Sequence, residues 1–212
     1  MFVCWSVKGG SGTTVVSCAL AMSLGRMRPT LLVDLAGDVP AALGIGTSSG
    51  PGASDWARSP MGDRAALDRL AIPVTDDLRL ITRGSGPVPH DRMAHLREAL
   101  MAYDGECVVD AGLGEPPLAL REGCTSLLVI RPCYLAIRNA VTCGVQPTGI
   151  VVVNEPSRAL SAADIARAVT APVVASIPFD PVVSRSVDAG MLAARLPRAF
   201  DNAFDDALDL MA

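Results

Sequence analysis

A glycine-rich turn between an apolar strand and a helix is the feature that most restricts how this chain can fold. It lies in VCWSVKGGSGTTVVSCALAMSL, residues 3–24. Gly9, Gly10 and Gly12 permit positive φ angles and close backbone approach. Successive backbone N–H groups and the start of the following helix then form a site that favours anions. The segment predicts a phosphate-binding loop, with a tight turn capped by threonine hydroxyls as the structural alternative.

Lysine occurs in this loop, but not where the usual phosphate-loop pattern has it. In G-x-x-x-x-G-K-[ST] a lysine follows the last glycine, and here Thr13 stands at that position. Lys8 precedes the glycines and is the one lysine among 18 basic residues. Because arginine does not replace lysine where a compact ammonium must reach a phosphate, we expect Lys8 to be functional. Thr14, at the helix N-terminus, is placed to offer its hydroxyl to Mg²⁺.

Short apolar, β-branched segments alternate with helical patterns along the chain. The predicted strands span 2–7, 30–34, 78–82, 106–110, 126–130, 149–153 and 173–177. The predicted helices span 14–27, 63–70, 90–103, 116–122, 134–143, 161–168, 183–189 and 197–210. This alternation is typical of an α/β fold with a doubly wound, mostly parallel sheet of about seven strands and helices on both faces. We expect a single domain over residues 1–212, with a surface loop at 44–54.

Several polar segments follow the predicted strands. Ligands bind at the carboxyl ends of the strands in such a sheet. The segments at this edge are 8–14, 34–38, 110–114, 131–133 and Asn154. Their convergence predicts one site, although Asp110 could simply cap the next turn and Asn154 could simply form one.

The loop KGGSGTT, residues 8–14, resembles the deviant Walker A motif K-G-G-x-G-K-[ST] of the ParA/MinD family of P-loop ATPases. The resemblance covers nearly the whole chain and includes LLVDLAGDVPAALG, CVVDAGLG, LLVIRPCYLAIRNA, GIVVVNEPSRALSAADI and VVASIPFDPVVSRSVDAG. It is nearest to actinobacterial MinD-like and CpaE/TadZ-like proteins, which place division sites or Flp/Tad pilus machinery. The resemblance implies a P-loop NTPase fold, ATP or ADP with Mg²⁺ as cofactor, and a homodimer that sandwiches nucleotide.

The resemblance also implies a role for each matching residue. Lys8 corresponds to the signature lysine, which reaches the nucleotide of the partner subunit across the dimer. Thr14, Asp34 and Asp110 correspond to the Mg²⁺ site, where Asp110 acts through water. Asn154 corresponds to an asparagine that reads the adenine edge, and Pro178 to a proline of the base pocket. The full set of implied nucleotide-binding residues is Lys8, Gly9, Gly10, Ser11, Gly12, Thr13, Thr14, Asn154 and Pro178.

Two positions depart from the family pattern. Thr13 replaces the second lysine, which binds the β- and γ-phosphates; one charge pair at about 4 Å is worth roughly 4 kcal/mol at an effective dielectric constant of about 20. Ala36 replaces the aspartate that orients the attacking water. Asp38 is a possible substitute, but a displacement of about 1 Å can cost about 100-fold in rate. Arg131 lies near the right edge to replace the lost charge, and the sequence alone does not place it.

We therefore expect a degenerate ParA/MinD-like ATPase that binds nucleotide and acts as a positioning or scaffold protein. The process implied is placement of a division site or of a Flp/Tad pilus, with little or no hydrolysis and weakened nucleotide binding. One alternative is a slow but active ATPase switch built on the sandwich dimer. Another is an iron–sulfur reductase like the nitrogenase iron protein, which needs two suitably placed cysteines; Cys133 fits this requirement and Cys124 fits it poorly.

Composition and charge argue against several classes of partner. The net charge of −4 and the scarcity of aromatic residues disfavour a specific nucleic-acid surface. No segment reaches about 18 uninterrupted apolar residues, so no transmembrane helix is expected. The predicted final helix has an acidic face that anionic lipids repel; its apolar stripe is Leu196, Phe200, Phe204, Leu208 and Met211. We expect a cytoplasmic protein without a membrane anchor of its own, with a second copy and a division or secretion/pilus protein as partners.

Overall fold

An eight-stranded sheet runs through the chain in the computed structural model, which describes residues 1–46, 50–60 and 62–209. The strands are β1 (Phe2–Ser6), β2 (Thr30–Asp34), β3 (Ile72–Pro73), β4 (Leu78–Ile81), β5 (Glu106–Leu113), β6 (Thr125–Ile130), β7 (Gly149–Asn154) and β8 (Val173–Pro178). Their order is β3-β4-β2-β5-β1-β6-β7-β8, and every neighbouring pair is parallel except β3 with β4. The predicted mostly parallel α/β sheet is confirmed.

The strands coincide with the predicted apolar segments, with one addition. β3 is a two-residue antiparallel strand at the edge of the sheet, and it makes eight strands where about seven were predicted. Its Pro73 lacks an N–H group, which an edge position tolerates. All residues of β1 and β2 are buried, because helices cover both faces of a parallel sheet.

Helices cover the sheet on both sides. In the described ranges they are α1 (Thr13–Gly25), α2 (Val39–Leu43), α3 (Ala53–Arg58), α4 (Arg64–Leu70), α5 (Met93–Met101), α6 (Leu118–Arg121), α7 (Tyr134–Cys143), α8 (Ala162–Val169), α9 (Pro181–Asp188) and α10 (Asp205–Asp209). Phe2 and Cys4 of β1 pack in one core with α1 and α2, whereas Val3 and Trp5 point to cores on the other face. Among the described residues, no helix is long and apolar enough to span a membrane.

The chain end differs from the single helix predicted at 197–210. A 3₁₀ turn at Arg198–Phe200 is followed by non-helical turns before α10 begins. Asn202 has a φ of 56°, a left-handed conformation that asparagine tolerates and that interrupts a right-handed helix. The apolar stripe still packs on the protein, since Phe204 is buried in the main core. Met211 lies outside the described residues.

The segment 44–54 is not entirely the surface loop that was predicted. Gly44, with a φ of 72°, ends α2 in a left-handed conformation that favours glycine. Helix α3 begins at Ala53, and both Ala53 and Ser54 are buried. Residues 47–49 lie outside the described part of the chain. Short helices such as α2 and α3 carry weak local signals, because packing rather than intrinsic propensity stabilises them.

Candidate functional site

The phosphate loop, residues 8–14, connects β1 to α1. Gly12 precedes the helix with a φ of 94°, and Gly10 has a φ of 75°; both conformations favour glycine. The buried Ser11 hydroxyl donates to the Lys8 carbonyl oxygen at 2.7 Å and closes the turn. A Cβ atom placed on Gly9 or Gly10 would meet nothing within 4 Å. The loop is therefore shaped by its own contacts and leaves open space beside its glycines.

A cavity of about 550 Å³ lies over this loop, and we call it the phosphate cavity. It joins the phosphate loop to the segments that follow β2 and β5. Its lining residues are Ser6, Gly9, Gly10, Ser11, Gly12, Thr13, Thr14, Val15, Leu35, Ala36, Asp38, Ala111, Gly112 and Leu113. Three of the polar segments noted in the sequence thus meet at one edge of the sheet, because their strands are parallel neighbours.

Two buried carboxylates stand side by side next to this cavity. Asp34 ends β2, Asp110 lies in β5, and the two residues are direct partners in the strand register. Asp34 is held by the loop that follows it: its Oδ1 accepts from the Gly37 N–H at 2.6 Å, and its Oδ2 accepts from the Val39 N–H at 3.3 Å. Asp110 Oδ1 accepts from the Gly112 N–H at 3.2 Å, while its buried Oδ2 has no hydrogen-bond partner.

The electrostatics of the pair follow from this burial. Burial raises the pKa of Asp110 to about 6; the Thr14 hydroxyl beside it lowers the pKa, and the neighbouring Asp34 carboxylate raises it further. Burial also raises the pKa of Asp34, although the N–H groups of Gly37 and Val39 partly offset this. Asp110 thus has an unpartnered buried oxygen, and its charged neighbours are acids rather than a cation.

A hard divalent cation fits this donor set. Mg²⁺ prefers oxygen ligands and keeps several waters when it binds beside phosphate. The Asp110 carboxylate and the Thr14 hydroxyl are adjacent, and Thr14 lines the phosphate cavity. Each oxygen of Asp34 already accepts from a backbone N–H group, so Asp34 suits a supporting position beside the cation better than that of its main ligand. Thr14, Asp34 and Asp110 therefore compose one candidate Mg²⁺ site.

The segment after β2 presents a methyl group to the cavity. Ala36 lies against Gly112 in the last part of β5, because a Cβ atom on Gly112 would stand 2.9 Å from the Ala36 Cβ. Position 36 thus offers no carboxylate, as the sequence indicated. Asp38 is exposed, precedes α2 without capping it through its side chain, and lines the phosphate cavity. It is the carboxylate of this loop that faces the candidate phosphate region.

Arg83 is a residue of the site that the sequence analysis missed. It follows β4, and its Nη1 donates to the Ala36 carbonyl oxygen at 2.7 Å. Its charge lowers the pKa of Asp34. Gly37 has a φ of 104°, and a Cβ atom there would stand 2.6 Å from the Arg83 Cζ. Arg83 thus holds the loop after β2 in place. The sequence signal for this role was only its position just after a strand end, which is weak in a chain with many arginines.

A second, mostly apolar cavity of about 200 Å³ adjoins Gly12, and we call it the base cavity. Pro178 and Phe179 line it, together with Val153 at the end of β7. The full lining is Gly12, Val15, Val16, Arg131, Val153, Ile177, Pro178, Phe179, Asp180, Val183, Ser184, Val187, Asp188 and Phe200. Its apolar walls and position beside the phosphate loop suit a flat heterocycle joined to phosphates.

Asn154 is near the base cavity but its side chain is engaged elsewhere. The Asn154 Nδ2 donates to the Ser176 hydroxyl, and the Asn154 carbonyl oxygen accepts from the Phe179 N–H at 2.7 Å. Asn154 is absent from the residues that line the base cavity. The structure thus brings Pro178 to this cavity and leaves the Asn154 amide outside its wall.

Lys8 is exposed at the outer side of the phosphate loop. Its side chain has no ion pair within the described ranges. It lines a third cavity, the flank cavity, together with Arg131, Glu155 and Arg158. Lys8 is therefore a free cation on the surface beside the candidate nucleotide site.

The cysteines do not support an iron–sulfur site. Cys124 precedes β6 and Cys133 follows it, so these residues lie at opposite ends of the strand, roughly 20 Å apart at about 3.3 Å per residue. All six cysteines are free. Among the described residues, no group of three or more histidine, cysteine or acidic side chains could hold a metal ion. The two cysteines that the reductase alternative would use are therefore far apart within one subunit.

Comparison of the sequence with protein-family models and with curated proteins finds no match. Comparison with solved structures does find similar chains. A ParA family ATPase from Chlorobium tepidum is 18% identical and superposes with a TM-score of 0.78, covering 97% of this chain and 97% of that one. The septum site-determining protein MinD from Pyrococcus horikoshii, complexed with Mg-ADP, is 17% identical with a TM-score of 0.78, covering 99% of this chain and 95% of that one.

A chain of the MinC:MinD cell division protein complex of Aquifex aeolicus is also similar. It is 18% identical with a TM-score of 0.77, and the match covers 99% of this chain and 94% of that one. The TM-scores and coverages show a shared architecture over almost the full length. The chain has the fold of the ParA and MinD ATPases.

Proposed function

We propose that this chain is a ParA/MinD-type P-loop protein that binds ATP or ADP with Mg²⁺ and works as a positioning or scaffold protein. The observation that carries the proposal is the phosphate cavity, where the glycine loop meets the buried pair Asp34 and Asp110. The unpartnered Oδ2 of Asp110 supports a cation at this point. The MinD structure of similar fold contains Mg-ADP, which agrees with this assignment.

Different residues would bind the phosphates, the Mg²⁺ ion and the base of the nucleotide. The backbone N–H groups of the phosphate loop and the start of α1 favour the phosphate groups. Thr14 and Asp110 supply oxygen atoms for Mg²⁺, which neutralises phosphate charge when it is bound. The base cavity, with Pro178 and Phe179 in its wall, accommodates the base. Asn154 remains a candidate for reading the adenine edge, which requires its amide to leave Ser176.

Hydrolysis should be at or near background. The side chain of Thr13 carries no charge and is buried, so it cannot bind the β- and γ-phosphates as a lysine does. The methyl group of Ala36 packs against Gly112 near the end of β5, where a carboxylate would be needed to orient water. These are defects in two separate parts of the catalytic apparatus, and we infer that the protein acts through binding.

A slow ATPase switch is the second candidate, and one observation favours it. Asp38 lines the phosphate cavity and its side chain caps no helix. It is therefore available to accept a proton from water, in place of the aspartate that Ala36 replaces. Turnover that depends on Asp38 would support this candidate over a purely binding role.

We further propose a homodimer and a protein partner. Lys8 is exposed on the edge where β1 ends, as the signature lysine of a nucleotide sandwich must be. Large apolar side chains are exposed at the end of β5 and the start of α7, among them Leu113, Tyr134 and Leu135. Exposed apolar groups on such an edge favour protein contacts. The similar MinD occurs in a complex with MinC. The partner class proposed is a cytoplasmic protein of a division or secretion/pilus system.

Calorimetry with Mg-ATP and Mg-ADP tests the proposal directly. We expect saturable binding of both nucleotides that weakens when EDTA removes Mg²⁺, and weaker Mg dependence in Asp110→Asn. The matched control is Asp104→Asn, which changes an exposed acid away from the cavity and should bind as the unchanged protein does. Absence of binding at millimolar nucleotide would overturn the proposal. Gel filtration of the same samples then shows whether nucleotide changes the oligomeric state.

A further inference from the structure

We propose that Arg131 binds the phosphates of the nucleotide held by its own subunit and supplies the cation that Thr13 lacks. This inference rests on the proposed nucleotide binding and adds a residue to it. Arg131 follows β6, which is parallel to β1 and adjacent to it. The arginine and the phosphate loop therefore emerge from neighbouring strands at the same edge of the sheet.

The side chain of Arg131 spans the region between base and phosphates. It lines the base cavity together with Gly12 and Phe179. It also lines the flank cavity together with Gly9 and Gly10. The guanidinium therefore borders both the base cavity and the glycines of the phosphate loop.

Fixed contacts hold the guanidinium at this place. Its Nη1 donates to the Glu155 Oε1 at 2.7 Å, and its Cζ lies 5.9 Å from the centroid of the Phe179 ring. Glu155 also pairs with Arg158, so one carboxylate is shared between two arginines. The position of Arg131 is thus largely set before any ligand binds, which limits the entropy lost on binding.

Donors remain free on this preorganised group. The Arg131 Nε is buried and has no hydrogen-bond partner, which is costly unless a ligand satisfies it. A guanidinium carries five N–H donors in a fork that matches phosphate geometry. The flank cavity contains the cations Lys8, Arg131 and Arg158 against the single acid Glu155, so the surplus charge favours an anion.

The test compares affinities for Mg-ADP and Mg-ATP by calorimetry in three variants. Arg131→Gln should weaken both ligands by about 10- to 100-fold, the loss typical of a charge-assisted phosphate contact. Arg138→Gln is the matched control: it removes an exposed arginine of α7 that lines none of the three cavities, so affinity should change less than about threefold. Arg131→Lys keeps the charge and should recover part of the loss.

Glu155→Gln separates phosphate binding from a purely structural role. It breaks the ion pair but leaves the Arg131 charge, so affinity should fall less than in Arg131→Gln, because the guanidinium is held less firmly but can still bind phosphate. If Glu155→Gln weakens ADP as much as Arg131→Gln does, Arg131 acts only through its ion pair and the inference is wrong. If Arg131→Gln binds both nucleotides as tightly as the unchanged protein does, the inference about Arg131 is wrong but the proposed nucleotide binding stands. If the unchanged protein binds neither nucleotide, the proposed function fails and the inference with it.

Discussion

Replacing Asp110 by asparagine should stabilise the protein when metal and nucleotide are absent. Burial raises the pKa of Asp110 to about 6 from its ordinary value of 3.8, and its Oδ2 has no hydrogen-bond partner. Each unit of difference between folded and unfolded pKa corresponds to 1.36 kcal/mol, so the buried charge costs about 3 kcal/mol at pH 7.5. The amide oxygen of asparagine can still accept from the Gly112 N–H, as Oδ1 does now.

The raised pKa of Asp110 also determines how the stability difference should change with pH. An acid with a raised folded pKa is most favourable below its unfolded pKa, and that stability is lost as pH rises through the folded value. The contribution of Asp110 to the free energy of unfolding should therefore rise as pH falls from about 7 to about 4. Asp110→Asn has no such titration, so its advantage should approach 3 kcal/mol at pH 7.5 and vanish near pH 4.

Urea unfolding followed by circular dichroism, in EDTA at several pH values, measures this difference. The exposed Asp104→Asn serves as control and should stay within about 0.5 kcal/mol of the unchanged protein at each pH. A destabilised Asp110→Asn, or a difference that does not depend on pH, would refute the argument from a buried and unpaired carboxylate. In the presence of Mg-nucleotide the order should reverse, because ligand stabilises the unchanged protein more.

Three further perturbations test the loop after β2, the catalytic defects and the dimer. Gly37→Ala should lower the free energy of unfolding in urea by about 1–3 kcal/mol, because Gly37 has a φ of 104° and an added Cβ would meet the Arg83 guanidinium. Gly46→Ala should leave the free energy of unfolding unchanged, because an added Cβ there would meet nothing within 4 Å. Phosphate release should be at background in the unchanged protein and in Thr13→Lys, and should appear only when Ala36→Asp is added; robust turnover by the unchanged chain would contradict this. Lys8→Ala should abolish any ATP-dependent dimer in gel filtration, and a dimer that survives it would show that this lysine does not reach across an interface.

The sequence by itself determined the sheet and the loop. Strand segments, helix periodicity and the glycines at 9, 10 and 12 are local signals, and alternation of strands with helices requires parallel crossovers. The residues Asp34 and Asp110 were found because they follow buried apolar runs. β3, α2 and the break at Asn202 were not predicted, because their local propensities are weak and tertiary packing decides them.

Only the tertiary structure decided which side chains are neighbours. Strand order places β2 beside β5, and this register pairs Asp34 with Asp110 and leaves an oxygen unpartnered. The same order brings Arg131 from β6 to the phosphate loop, although the two are far apart in the chain. A sequence shows that a residue stands at a strand end. Which strand lies next to it depends on long-range packing, and so do the charges and hydrogen bonds that set its chemistry.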